Sequence, residues 1–82
     1  MNHIDYHEII LQSHKILKRQ RITLGHTEQE VANRACIPLQ SYQQFENGTR
    51  DIMHASFRLA CRVFEALDIN PFCFHMGKYA IL

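Results

Sequence analysis

Apolar positions along this chain recur at steps of three and four, with polar residues filling the sides between them. That period predicts amphipathic helices and no strands. A first helix is expected over residues 6–24, with Ile9, Ile10, Ser13, Ile16, Leu17, Gln20 and Leu24 near one side. Asp5 and Glu8 form a capping-box-like pair at its start, and Gly25 stops it. A second helix begins after Thr27, which with Glu30 makes a T-x-x-E capping box, and its apolar face is the narrow set Val31, Ala32 and Ala35. Pro38 disfavours helical geometry at Ile37 and opens a third helix over residues 39–46. Tyr42 and Phe45 share one side of that helix, and Gln40, Ser41, Gln43 and Gln44 take the others. Asn47-Gly48 tolerates the left-handed geometry that ends it. A fourth helix is expected from an Asp51 N-cap, with Ile52, Ser56, Leu59, Ala60, Val63, Phe64 and Leu67 as its core face. Asn70-Pro71 starts a short fifth helix through Met76, Gly77 ends it, and residues 78–82 form an apolar tail.

The expected architecture is therefore all-α: five helices in a single domain over residues 1–82, with residues 1–16 extending the first helix. Residues 27–48 organise it. Counted from Glu28, apolar or small residues fall at the fourth, fifth, eighth, tenth, fifteenth and eighteenth places: Val31, Ala32, Ala35, Ile37, Tyr42 and Phe45. Two short helices that cross steeply must bury side chains at those places, and the fifth must be small because the second helix lies on it. Ala32 meets that demand. Cys36 occupies the turn place, where glycine is common, so a slightly strained turn is expected.

Those residues, with several outside them, resemble the helix-turn-helix of the Cro and phage-repressor family, also called the XRE family. Gly25-His26-Thr27, shortly after Arg21, is similar to the family's Gly-Leu-Ser entry, and Val31-Ala32 to its Leu-Ala. Glu46-Asn47-Gly48 reproduces its Glu-Asn-Gly, and Ala66-Leu67-Asp68-Ile69 resembles its Ala-Leu-Gly-Val. The likeness covers residues 17–74. It implies a five-helix, lambda-repressor-like fold in which helix 2 crosses the DNA backbone and helix 3 lies in the major groove.

Carried over position by position, the resemblance implies base reading by Gln40 and Gln44, with Ser41 a second candidate and Leu39 placed to touch a thymine methyl. Gln43 is placed to reach a base or a phosphate. A glutamine paired with adenine through two hydrogen bonds discriminates by about 1–3 kcal/mol. Phosphate contacts are implied for Asn47, Thr49 and Arg50, and for Gln29, because Glu28 stands where the family usually has a phosphate-binding glutamine. Arg21 and Glu46 match an ion pair tying helix 1 to helix 3, with Arg21 also aimed near the backbone. The connection from helix 3 to helix 4, through Asp51 and Ala55, is about three residues longer than is common in the family.

Composition narrows the function further. The 82 residues carry a formal net charge of +1, so charge distribution matters more than its sum. Lys15, Lys18, Arg19 and Arg21 crowd the end of the first helix, and Arg19 is the member best placed for phosphate. No apolar run approaches the roughly 20 residues of a membrane span. The N-terminus has acid and histidine where a secretory signal needs basic residues, so a cytoplasmic protein is expected. Three cysteines, Cys36, Cys61 and Cys73, lack C-x-x-C spacing and read as reduced thiols, Cys61 and Cys73 as buried ones. His3 and His7 lie one turn apart, and Cys73 and His75 two residues apart, without partners at ligand spacing, so neither metal nor cofactor is expected. No nucleophile set, carboxylate pair or phosphate-cradling loop points to an enzyme or a small-molecule substrate. The expected function is a sequence-specific transcriptional regulator, repressor-like, bound to double-stranded DNA as a homodimer, because one short helix gives little contact. Residues 79–82 and the region of helices 4 and 5 are the dimer candidates. The alternative is an interaction module on the same fold that binds a toxin or another regulator.

Overall fold

A computed structural model describes residues 13–71. It holds α1 (Ser13–Leu24), α2 (Glu28–Ala35), α3 (Leu39–Asn47), a 3-10 turn (Ile52–His54) and α4 (Phe57–Ala66), and no strand among the described residues. The cap at Asp5 and Glu8, the core positions Ile9 and Ile10, the histidines His3 and His7, the fifth helix beyond Pro71, Cys73, His75 and the tail lie outside those residues.

α2 packs against both α3 and α4, and α1 packs against α3 and the 3-10 turn. Leu17, Val31, Ala32, Tyr42, Phe45, Ile52, Val63 and Leu67 are buried where these elements meet. Side chains from α1 and α2 close the end of α4. Gln20 Nε2 donates to the Leu67 carbonyl at 2.9 Å, and Arg34 Nε donates to the Ala66 carbonyl at 3.2 Å. Both satisfy carbonyls that a helix end leaves without partners.

A left-handed residue follows each helix. Gly25 and Gly48 have φ of 76° and 86°, but Cys36 and Asp68 adopt φ of 58° and 54°. After α2, the Cys36 amide donates to the Asn33 carbonyl and the Ile37 amide to the Ala32 carbonyl. After α4, the Asp68 amide donates to Glu65 and the Ile69 amide to Phe64. These are paired Schellman bonds, which need a left-handed residue between them. Two of the three such ends (α1 is the third) therefore hold a side chain in a conformation that favours glycine.

The start of α4 differs from the sequence expectation. Asp51 does not cap α4; its Oδ1 accepts from the Met53 amide at 2.9 Å and caps the 3-10 turn. The chain then extends at Ala55, and Ser56 caps α4, with Oγ accepting from the Leu59 amide at 3.2 Å. Helical spacing continues through Ile52 and Ser56, but Ile52 is buried from the 3-10 turn and Ser56 is exposed at the cap. Phe57, first in α4, is left 84% exposed. Cys61 is half-buried rather than buried.

Candidate nucleic-acid interface

The entry to α2 is fixed by local chemistry. Thr27 Oγ1 accepts from the Glu30 amide at 3.1 Å, and Glu30 Oε1 accepts from the Thr27 amide at 2.8 Å. The backbone bond from Thr27 is the main reason the Glu30 carboxyl titrates below its ordinary range. Val31, Ala32 and Ala35 are buried, and the absence of a larger side chain at Ala32 lets α3 close on α2. Cys36 makes the turn, and Pro38, extended at φ −62° and ψ 146°, accepts from the Tyr42 amide as α3 begins.

α3 has one buried side, formed by Tyr42, Phe45 and Glu46. Gln40 is exposed on the opposite side, Gln43 and Gln44 are half-buried, and Ser41 lies half-buried on the other flank. Leu39 is also half-buried and packs against the core cluster, so its apolar body has a structural partner in the free protein. Asn47, Thr49 and Arg50 are exposed beyond the helix, as are Arg19 on α1 and Gln29 on α2. Gln29 Nε2 donates to Asn33 Oδ1 at 2.9 Å along α2.

The C-terminal end of α3 is tied down. Arg21 grips Glu46 through two nitrogens, Nη2 at 2.7 Å from Oε1 and Nε at 2.9 Å from Oε2, and its Nη1 donates to the His26 carbonyl at 3.0 Å. Three guanidinium nitrogens are thus engaged within the protein. The Glu46 side chain is only 4% exposed. Burial alone pushes its carboxyl upward, but the hydrogen bonds and charge of Arg21, together with Tyr42 and Glu28 beside it, outweigh burial and leave it below the ordinary carboxylate value. The Tyr42 hydroxyl is buried beside Glu46 without a hydrogen bond of good geometry, and burial first, then the neighbouring carboxylate, holds its pKa well above that of an ordinary phenol.

Past α3 the backbone turns under two further constraints. Asn47 Oδ1 accepts from the Thr49 amide at 2.8 Å, and the Arg50 amide donates to the Gln44 carbonyl at 3.0 Å. The Arg50 guanidinium lies over the Phe45 ring, 4.7 Å from its centroid, which holds an exposed cation beside the helix end.

Two partners in this region were not legible from the linear pattern. The His14 ring packs against Gly48, where an added Cβ would sit 3.3 Å from His14 Cγ. Glu28 Oε1 accepts from Gln43 Nε2 at 3.3 Å, linking the start of α2 to the flank of α3. Among the described residues, no three of His, Cys, Asp and Glu come together as a metal site, and no helix is long and apolar enough to cross a membrane.

A helix-turn-helix family model matches residues 17–72, more than half of the chain. No curated protein and no solved structure gives a significant match.

Proposed function

The chain belongs to the Cro/phage-repressor (XRE) helix-turn-helix family of DNA-binding regulators, and we propose that it is a sequence-specific, repressor-like regulator that reads the major groove with α3. The observation that carries this reading is the division of α3 into a side anchored by Tyr42, Phe45 and the Glu46–Arg21 pair and a side bearing Gln40, Gln43 and Gln44. Gln40 and Gln44 read base edges in this proposal, with Ser41 and Leu39 at the margins of the contact. Asn47, Thr49 and Arg50 grip phosphate after α3, joined by Arg19 and Gln29. Arg21 acts chiefly through Glu46, because its fork is already occupied. The working form is a cytoplasmic homodimer on a two-fold symmetric site, since one domain of this size offers a small contact area.

Selection from a randomised duplex library, followed by a salt titration on the selected duplex, tests the proposal. Each phosphate neutralised adds about −0.9 to the slope of log K against log salt. Gln44→Ala relaxes base preference, whereas Arg50→Ala weakens all duplexes alike and flattens the salt slope by about one. Failure to bind any duplex above background at low salt sinks the proposal. It would leave the interaction-module reading, which the anionic Glu28 at the start of α2 favours.

A further inference from the structure

We propose that Glu28 is a specificity-determining residue, whose carboxylate turns the Gln43 amide so that α3 selects adenine over guanine at one base pair. The inference rests on the DNA-binding reading above. It starts from the bond that Gln43 Nε2 donates to Glu28 Oε1 at 3.3 Å, across the α2–α3 junction, with both residues half-buried.

A glutamine amide has a donor end and an acceptor end of nearly the same shape, so an unconstrained one can present either. An ionised carboxylate only accepts. Beside Glu28 the amide therefore turns its nitrogen toward α2 and its Oε1 outward, keeping the second hydrogen of Nε2 available. Gln40 lies three residues before Gln43 and Asn47 four after it, so all three fall along one stripe of α3. Gln43 is the member of that stripe facing α2, and its outward edge is an acceptor next to a donor.

In the major groove adenine presents the complement, an N6 donor beside the N7 acceptor. Guanine presents two acceptors, O6 and N7, which oppose an outward oxygen. Phosphate oxygens also only accept, so a backbone contact uses the outward donor alone, whereas adenine matches both the donor and the acceptor of that edge. The Glu28 charge acts in the same sense, because a carboxylate beside the groove repels the two guanine acceptors. The residue that stands as an anion where DNA approaches thus lowers overall affinity and raises discrimination.

Wild-type protein, Glu28→Gln, Glu28→Ala, Gln43→Ala and the Glu28→Ala/Gln43→Ala double variant are each bound to a randomised duplex library, and preferences are compared base pair by base pair. Glu28→Gln removes a negative charge at nearly constant shape, so it binds every duplex more tightly. It also lets the amide turn either way, so the preference for adenine over guanine falls about tenfold at one base pair. Gln43→Ala loses the same preference at the same base pair, and the double variant loses no more than either single one. Tighter binding of Glu28→Gln with unchanged preferences overturns the proposal, as does a change at a base pair different from that of Gln43→Ala. A wild-type protein that selects a sequence under either of those outcomes leaves the DNA-binding reading standing. A wild-type protein that selects none defeats that reading and the proposal together.

Discussion

Removing Arg21 should reverse the pH dependence of stability. The Glu46 side chain is 4% exposed and that of Arg21 15% exposed, so the pair sits largely out of water. Breaking such a pair from one side strands a charge, and costs of about 3–5 kcal/mol are typical. A domain of this size is stable by roughly 0.05–0.15 kcal/mol per residue, so Arg21→Met consumes a large share of the total. In the wild type the Glu46 carboxyl lies below its ordinary value. Its contribution is therefore fully present above the unfolded carboxylate value of about 4.3 and is lost as pH falls through the lower folded value. In Arg21→Met burial, the largest influence on Glu46, loses its main opponent, and Tyr42 and Glu28 beside it offset burial only in part, so the folded value rises above the unfolded one. The penalty is then largest at neutral pH and shrinks as pH falls through the raised value, because protonation discharges the stranded group. Urea unfolding followed by far-UV circular dichroism suits a chain without tryptophan. The variant should lie about 3–5 kcal/mol below wild type at pH 7.5, with a smaller gap near pH 4.5, where the stranded carboxylate is discharged in the variant while the wild-type pair is still formed. Arg21→Met/Glu46→Leu should recover most of the loss, since an apolar pair of similar volume replaces a buried ion pair at little cost. A penalty for Arg21→Met that is under about 1 kcal/mol, the range of solvated surface pairs, or that is constant with pH, would refute the reasoning.

Two other substitutions follow from the backbone. Cys36→Gly relieves about 1–2 kcal/mol of left-handed strain and adds about 0.5–1 kcal/mol of unfolded-state entropy; a thermal melt should show a net gain of about 0.5–1 kcal/mol, and a lower midpoint counts against strain at φ 58°. Gly48→Ala faces the opposite problem, with φ at 86° and His14 3.3 Å from the new methyl carbon; it should destabilise by more than about 1–2 kcal/mol and weaken duplex binding beyond what that loss of fold accounts for, whereas unchanged binding per folded molecule dissociates this turn from the interface.

The parts of the fold that sequence discloses are those that local chemistry decides. The Thr27–Glu30 box, the small Ala32, and the Tyr42–Phe45 spacing each depend on residues within one or two turns, and each is in place. The start of α4 could not be settled that way. Asp51 and Ser56 are both competent caps, and the apolar spacing runs through both. The 3-10 turn, rather than a longer helix, carries Ile52 into the core beside α1, where Ser13 Oγ also reaches Asp51 Oδ1 at 3.4 Å. That choice rests on a contact between residues 38 apart in sequence. Leu39 follows the same rule: its position in α3 suggests the groove, and its packing against the core depends on elements that the position does not reveal. The Glu28–Gln43 bond joins residues 15 apart, whose pairing becomes visible only once the crossing of α2 and α3 is known.

These contacts also hold the two halves of α3 unequally, and the inequality bears on how the proposed interface divides its work. The C-terminal end is fixed by a charge-assisted fork at Glu46, by His14 against Gly48, by Arg50 over Phe45 and by the Asn47–Thr49 turn. The N-terminal half starts at Pro38, which supplies no side-chain cap, and among the described residues its polar flank is held by the longer bond from Gln43 to Glu28. Phosphate contacts set register and orientation, while base contacts carry sequence information. Firm support therefore lies beneath Asn47, Thr49 and Arg50, the residues assigned to register, and lighter support beneath Gln40 and Gln43. A change of base preference is then reachable by substitution in the first two turns of α3 without loosening the grip at its end. Glu28 lies outside α3 yet belongs to that adjustable half, since in the proposal above its exchange alters which end of an amide the groove meets.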